Sequence, residues 1–377
     1  MSVSIWQDRS GEMLREVDVA IIGAGLVGCA IALEASRHAR TVAILEGRTL
    51  GSGGTGRGPG LFLPALPEGY GQTVHRFGRQ TARELLDSAL ETRAMLEATS
   101  RRHRLNFETR GVCLLGVTAQ QADTLAQSAT LLTEDGVPAR YEAEATGTRG
   151  FRGSLHFPQG MALDPLRLTE ALRQESNALL YEGCEVFGVI PESDHISLLA
   201  RRGTFRARKV FLATDAYTPV LIPDLERRLH PVRTEMLLTH PLDWRLEMPA
   251  YADEGKYSVR QLLNGRMMLG CGGPDFGDGD QTWVEQTFGE AQQALDVFAQ
   301  RYFPEVVGHV VRRWSGTLGM TVDGLPLVGQ LASDPRVCYA VGFGDFGLNV
   351  GLSAARRVVS LAYAGEDPGL FSATRLH

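Results

Sequence analysis

The sequence predicts an α/β protein in which a parallel sheet flanked by helices is joined to an α+β unit with a mainly antiparallel sheet. A strand, a glycine turn, a helix and a second strand follow one another over residues 18–47. Further helical and apolar β-rich segments come later in the chain, and residues 230–275 alternate in polarity as antiparallel strands do. The length of 377 residues favours two to three domain-sized units.

The first strand–turn–helix unit is "DVAIIGAGLVGCAIALEASRHARTVAILEG". Residues 17–22 form an apolar run typical of a buried parallel strand. Gly23, Gly25 and Gly28 follow at a spacing that permits a tight turn, close approach of a pyrophosphate and close helix packing. Glu46 ends the second strand, where an acid accepts hydrogen bonds from ribose hydroxyls and disfavours the 2′-phosphate of NADP. The unit therefore predicts a Rossmann-like site for FAD or NAD.

The loop that follows, "LEGRTLGSGGTGRGPGLF", distinguishes between these two cofactors. Its many glycines leave almost no side chains to hinder a ligand. Ser52, Thr55 and Arg57 lie among them and suit a pyrophosphate and a flavin linker. A flexible surface loop is the alternative, but such a loop needs no arginine there. The loop therefore favours FAD.

The segments after this loop predict helices and strands in the following order. Amphipathic spacing predicts one helix over residues 75–102 and a second over 119–136. The short run between them, residues 111–117, is predicted to be a strand. Asp164 followed by Pro165 is a favourable helix start. Later strands are predicted at 184–190, 208–214, 233–240, 256–263 and 266–272, and a helix at 283–303.

The nucleotide-binding domain is therefore predicted to be discontinuous, because strands on both sides of an inserted unit return to its sheet. The FAD-binding domain is predicted at residues 1–75, 145–230 and 310–377. The substrate domain is predicted at residues 76–144 and 231–309.

Composition excludes several other classes of protein. The net charge of −6 argues against nucleic acid or an anionic membrane as the main partner. Five scattered cysteines without a C-x-x-C pair favour reduced thiols in the cytoplasm and give no metal-ligand spacing. No apolar run reaches the roughly 18 residues of a membrane span. The first 17 residues lack the apolar core of an export signal.

The chain resembles the FAD-dependent amine and amino-acid oxidoreductases, a family that includes glycine oxidase, monomeric sarcosine oxidase, gamma-glutamylputrescine oxidase and D-amino-acid dehydrogenase. The resemblance extends over most of the chain and rests on the order and spacing of its motifs. These motifs are "GAGLVG" with its acid, "GSGGTGRGPG", "KVFLATDAYTPVL", "HPVRTEMLLTHPL", "RRWSGTLGMTVDGLPLVGQL" and "VCYAVGFGDFGLNVGLSAARRV".

The resemblance implies that two distant glycine-rich turns hold one FAD. The turn at 342–349 precedes a helix, whose amides can stabilise the electron-rich flavin ring. Relatives that attach flavin covalently use a cysteine or a histidine that residues 314–324 and 51–62 lack, so FAD is predicted to be non-covalent. The predicted cofactor contacts are Gly23, Gly25, Leu26, Val27, Gly28, Glu46, Gly47, Arg48, Ser52, Thr55, Gly56, Arg57, Gly58, Val186, Ala213, Thr214, Gly316, Gly342, Gly344, Asp345, Phe346, Gly347, Leu348 and Asn349.

The resemblance also implies the reaction, which is hydride transfer from a C–N carbon to flavin N5 to give an imine. Two departures from the family bear on the substrate and on the electron acceptor. The strand "WSGTLGM" lacks the arginine that binds a substrate carboxylate in related oxidases, and Met268 takes the place of a lysine that assists oxygen reduction. We therefore consider Arg233 and Arg260 as substitute anion-binding groups, and Tyr257 and Met268 complete the four substrate-binding candidates.

The leading functional prediction is oxidation of a secondary amine, an N-alkyl amino acid or a polyamine derivative. The electron acceptor is O2 or another acceptor, and a companion subunit or a homo-oligomer is possible. Three alternatives stay open: the FAD subunit of a multi-subunit amino-acid dehydrogenase, a non-catalytic flavin-binding protein, and an NAD-linked dehydrogenase. The glycine loop and the C-terminal turn argue against the last.

Overall fold

The computed structural model describes residues 14–143, 149–272 and 281–376. Most of the N-terminal stretch in which we expect no export signal lies outside these ranges. In the described part, no helix combines the length and apolar character that crossing a bilayer requires.

The strands, in chain order, are β1 Arg15–Ile22, β2 Val42–Leu45, β3 Leu61–Phe62, β4 Val112–Gly116, β5 Arg140–Ala143, β6 Gly153–Phe157, β7 Met161–Ala162, β8 Leu179–Tyr181, β9 Val186–Pro191, β10 Ile196–Ala200, β11 Gly203–Leu212, β12 Leu229–Pro241, β13 Ala250–Ala252, β14 Tyr257–Gln261, β15 Arg266–Gly272, β16 Val310–Thr321, β17 Leu327–Leu331 and β18 Asp334–Val341. The α-helices are α1 Leu26–Ala35, α2 Tyr70–Phe77, α3 Arg79–His103, α4 Ala119–Glu134, α5 Pro165–Ser176, α6 Thr218–Leu221, α7 Gly289–Tyr302 and α8 Gly347–Ala364.

The first large sheet contains the nucleotide-binding unit and runs in the order β17-β18-β11-β1-β2-β8, with β10 on β11 and β9 on β10. The pairs β1–β2, β1–β11, β11–β18 and β2–β8 are parallel. Apolar residues of α1, α5 and α8, such as Ile31, Leu172 and Val358, are buried in the cluster on one face. This arrangement confirms the predicted α/β class.

The second large sheet has the order β16-β12-β15-β14-β13-β4-β6-β5. Its pairs are antiparallel except β13–β4, which is parallel. Helix α7 packs against it, and the rings of Tyr257 and Phe298 stack 4.0 Å apart in the core between them. The strands that alternation predicted within residues 230–275 are therefore found in this sheet.

The predicted domain boundaries need two corrections. Strand β6 was assigned to the FAD-binding segment 145–230, but it is hydrogen-bonded between β4 and β5 of the second sheet. Strand β16 was assigned to segment 310–377, but it pairs with β12 along almost its whole length. Both strands lie next to a change of domain, where sequence pattern does not show which sheet a strand joins.

The helix predictions need two further corrections. The helix predicted over 75–102 is divided at Gly78, whose φ of +82° ends α2 and precedes α3. The helix predicted over 283–303 begins only at Gly289. In contrast, Asp164 caps α5 as predicted, because its Oδ1 accepts hydrogen bonds from the amides of Leu166 and Arg167.

Candidate functional site

A cavity of about 690 Å³ lies at the carboxyl ends of β1, β2, β11 and β18. Open α/β sheets bind their ligands at this edge, and the volume is within the range of roughly 300–1,000 Å³ found for small-molecule sites. Residues of the second sheet, including Tyr251 and Leu318, complete the wall. The cavity therefore joins the nucleotide-binding sheet to the predicted substrate domain.

The glycine turn between β1 and α1 requires two of its glycines for close packing. Gly23 has a φ of +105°, and a Cβ there would lie 2.6 Å from the carbonyl oxygen of Ala213. A Cβ on Gly28 would lie 2.0 Å from the carbonyl oxygen of Gly23. Gly25 lines the cavity beside Thr55, whose Oγ1 accepts a hydrogen bond from the amide of Leu26 at 3.0 Å. The turn and the glycine loop thus meet at the start of α1.

Glu46 lies on the cavity wall with both carboxylate oxygens held by backbone amides. Oε2 accepts from the amide of Ala24 and Oε1 from the amide of Arg48, each at 2.8 Å. These bonds fix the carboxylate beside the glycine turn. This position fits an acid that accepts hydrogen bonds from a ribose.

Arg57 does not occupy the role that the sequence predicted for it. Its guanidinium donates to the carbonyl oxygens of Ser52 and Ser315, at 3.2 and 2.7 Å. Its Nη2 also lies 2.8 Å from a carboxylate oxygen of Glu285, which Arg48 binds at 2.7 Å. Arg57 therefore joins the glycine loop to β16, and its donors are used by the protein instead of a phosphate.

Glu285 belongs to a segment that connects to the cavity wall, although the sequence predicted a helix there. Besides the two arginines it accepts a hydrogen bond from the hydroxyl of Tyr217 at 2.8 Å. Burial opposes its ionisation, but the hydrogen bonds from Arg48 and Tyr217 lower its pKa below the ordinary value. In the same segment Trp283 donates to the carbonyl oxygen of Ala216 at 2.9 Å. These contacts replace the expected first turns of the helix.

Asp215, which lines the cavity, is a residue that the sequence analysis missed. Its Oδ1 accepts from the amides of Gly342 and Phe343, at 2.8 and 3.2 Å. Its Oδ2 accepts from the amide of Gly319 at 2.7 Å. Burial raises the pKa of this carboxyl while the backbone donors oppose the rise. One side chain thus ties the turn after β11 to β16 and to the turn after β18.

Asp345 and Tyr251 lie on the part of the wall formed by the C-terminal turn and β13. The Asp345 carboxylate is exposed to the cavity, yet protein surrounds it closely enough that burial raises its pKa to about 6. Tyr251 is 5% exposed, and burial, followed by the nearby Asp345 charge, raises its pKa. A carboxylate and a phenol therefore face the same small region.

The structure brings most of the predicted cofactor contacts together on this wall: Gly23, Gly25, Leu26, Val27, Glu46, Gly47, Arg48, Thr55, Gly58, Val186, Ala213, Thr214, Gly344, Asp345, Gly347 and Leu348. The others are not among the residues that line it: Gly28, Ser52, Gly56, Arg57, Gly316, Gly342, Phe346 and Asn349. Asn349, for example, is buried and donates to the carbonyl oxygens of Leu63 and Ala65.

None of the four substrate-binding candidates lines the cavity. Arg260 donates to three carbonyl oxygens and forms an ion pair with Glu108 at 3.0 Å. Arg233 donates to the carbonyl oxygen of Gln286. Tyr257 stacks in the core on α7, and Met268 is buried opposite Arg260 in the register of β14 and β15. We therefore withdraw the two arginines as anion-binding groups.

The donor set of this cavity fits FAD. The amide end of α1 offers favourable partial charge to a pyrophosphate, and Glu46 lies beside it. The glycine loop contributes Gly53, Gly54 and Gly58 to the wall without bulky side chains. At the C-terminal turn, α8 begins at Gly347, and Gly347 and Leu348 line the cavity. A long dinucleotide therefore finds suitable groups for its phosphates, its ribose and its ring.

The parallel sheet, the glycine turn and Glu46 together define the class of the protein as dinucleotide-binding. The sequence matches the model of the DAO family, FAD dependent oxidoreductase, over residues 18–361. The chain therefore belongs to this family and is an FAD-dependent oxidoreductase. The family and cofactor predicted from the sequence are thereby confirmed.

Individual relatives match along most of their length. Glycine oxidase of Geobacillus kaustophilus is 27% identical over 343 residues, which cover 84% of this chain and 85% of that protein. Gamma-glutamylputrescine oxidoreductase of Escherichia coli is 23% identical over 366 residues, covering 91% and 83%. The crystal structure of glycine oxidase from Geobacillus kaustophilus superposes with a TM-score of 0.81 at 24% identity, covering 96% of this chain and 99% of that one. This last likeness confirms the fold.

Proposed function

We propose that the protein oxidises the C–N bond of an amine or amino acid to an imine, which water then hydrolyses. FAD held at this cavity wall would supply the redox chemistry, as the acceptor of the hydride. The observation that carries the proposal is one cavity that runs from the glycine turn at α1 to the C-terminal turn and the second sheet. The proposal is supported by the similarity of the chain to proteins named glycine oxidase and gamma-glutamylputrescine oxidoreductase, and by the fold it shares with glycine oxidase.

The residues at the cavity wall suit a reaction that needs orientation more than acid–base catalysis. No histidine or lysine is among the described residues that line it. The start of α8 supplies amides, with Gly347 and Leu348 on the wall, for an electron-rich ring. Leu318 and Tyr251 provide apolar surface that excludes water from the reacting carbon. The substrate amine must arrive neutral for its C–H bond to be broken this way.

The proposal is tested by anaerobic titration of the purified holoprotein with a panel of amines and amino acids. We expect at least one compound to bleach the flavin absorbance and to yield the corresponding carbonyl product after imine hydrolysis. A flavin that no compound bleaches would instead support the non-catalytic flavin-binding alternative. Protein that takes up no FAD would contradict the proposal at its foundation.

We predict that the FAD is held without a covalent bond. All five cysteines are free and buried, and none of them lines the cavity. Burial raises the pKa of the Cys29 thiol to about 12, so this group is not a ready nucleophile. Acid precipitation should release all of the yellow colour into the supernatant. Colour that stays with the protein pellet would contradict the prediction.

A second candidate function is the FAD subunit of a dehydrogenase that passes electrons to an acceptor other than O2. The absence of lysine from the described cavity wall favours it, since the resemblance links a lysine to oxygen reduction. Dye reduction without peroxide, together with a co-purifying chain, would support this form of the function. Peroxide produced in proportion to substrate would support an oxidase.

We also propose that the protein works in the cytoplasm. Free, buried thiols at Cys29, Cys113, Cys184, Cys271 and Cys338 support a reducing compartment. Fractionation of the source cells with an antibody against the chain tests this.

A further inference from the structure

The acidic side chain of Asp345 differs from every other charged group on the described cavity wall. Glu46 is held by two amides and Asp215 by three. The pairs Arg48–Glu285 and Arg201–Glu185 are closed at 2.7 and 3.0 Å. The carboxylate of Asp345 accepts no hydrogen bond and forms no ion pair with the described residues, although it is open to the cavity.

The protein offers this carboxylate no counter-charge of its own within the described part. No lysine lines the cavity, and Arg48 and Arg201 are already paired. Arg260 is engaged by Glu108 and three carbonyl oxygens. A positive charge beside Asp345 must therefore come from a ligand.

Binding of cofactor and substrate makes a positively charged partner for Asp345 more necessary. A cofactor and a substrate displace the water that now reaches the Asp345 carboxylate. An isolated carboxylate in a dry site is strongly disfavoured unless it is paired or takes up a proton. The nearby Tyr251 ring also lines the cavity and presents a surface that suits a cation.

We propose that the substrate carries a second positive charge, apart from the amine that is oxidised, and that Asp345 binds this charge beside Tyr251. The two charges belong to different groups, because the reacting amine must be neutral while an ion pair needs a protonated one. The substrate class is thus a diamine or an amine with a basic side chain. This inference rests on the proposed function and narrows it.

The test compares butane-1,4-diamine with butylamine, which has the same carbon chain and one charge. Binding is measured by calorimetry on holoenzyme whose flavin has been reduced with dithionite, so that no turnover occurs. We expect the diamine to bind at least about tenfold more tightly, as a charge-assisted hydrogen bond provides. In Asp345→Asn the ratio of the two affinities should fall toward one, and this ratio compares two ligands on the same variant holoenzyme.

Asp87→Asn is the matched control, since Asp87 lies on the surface of α3 with a side chain that is 58% exposed. It should keep the full preference for the diamine. Equal binding of the two amines to the unmodified holoenzyme would overturn the inference, and this comparison needs no variant to fold. A preference that survives in Asp345→Asn would overturn it as well.

Anaerobic bleaching separates the failure of this inference from failure of the proposed function. If simple amines bleach the flavin but the diamine is not preferred, the proposed function is kept and the inference of a second positive charge on the substrate is rejected. No bleaching by any amine would remove both.

Discussion

Replacing Asp215 by alanine is expected to lower the free energy of unfolding by roughly 2–5 kcal/mol, because it leaves several buried amides without an acceptor. The carboxylate now accepts from the amides of Gly319, Gly342 and Phe343 at 2.7–3.2 Å. These amides belong to β16 and to the turn after β18, which both contribute to the cavity wall. Urea denaturation of the apoprotein measures the loss.

Two variants sharpen this experiment. Asp215→Asn keeps the shape of the side chain but directs an amide group at an amide donor, so we expect an intermediate loss. Asp224→Ala, at an exposed site on a nearby turn, should change the stability by less than about 0.5 kcal/mol. If Asp215→Ala lowered the free energy of unfolding no more than Asp224→Ala does, the hydrogen bonds of Asp215 would not contribute to stability.

Replacing Glu46 by glutamine is expected to weaken FAD binding about 10- to 100-fold. The two carboxylate oxygens are fixed by the amides of Ala24 and Arg48. A glutamine places its NH2 group against one of those amides and removes the charge that strengthens hydrogen bonds to ribose hydroxyls. Titration of the apoprotein with FAD, followed by quenching of flavin fluorescence, gives the dissociation constant.

Glu185→Gln is the matched comparison, since Glu185 is also on the cavity wall. Its side chain is 60% exposed and pairs with Arg201 at the surface. Exposed ion pairs contribute little, so FAD affinity should change by less than about threefold. Similar losses in both variants would mean that Glu46 has no specific contact with the cofactor.

Local sequence signals predicted the parts of this fold whose structure depends on near neighbours. The unit from β1 to β2 is specified by an apolar run, glycines at fixed spacing and an acid at the strand end. Alternating polarity likewise identified β12, β14 and β15. Each of these patterns predicts that one segment is buried, and the corresponding strands are largely buried in the structure.

The parts that were missed depend on partners far away in the chain. The sequence shows Arg260 on a strand, but it does not show that Glu108 lies 3.0 Å away. The sequence predicts that Arg57 binds a phosphate, because a local pattern does not show its hydrogen bond to the carbonyl oxygen of Ser315. Glu285 has helical spacing with its neighbours, yet it lies before the start of α7 and forms ion pairs with Arg48 and Arg57.

Asp215 left one signal that could have been used. The signal is an aspartate three residues after the end of a buried strand; the structure gives it a φ of +43°, a value that usually favours glycine. A polar residue in such a place indicates that its side chain has a structural partner. Which partner it has, however, depends on where β16 and β18 come to lie.

The interleaved order of the first sheet has a consequence for biosynthesis. Strand β1 leaves the ribosome early, but its neighbour β11 is made much later, and β18 and α8 come near the end of the chain. Until then the nascent protein must carry an incomplete apolar sheet with an unpaired edge, which is prone to aggregation. The cavity wall is complete only when β18 and α8 have been made, so we expect FAD to bind late in synthesis.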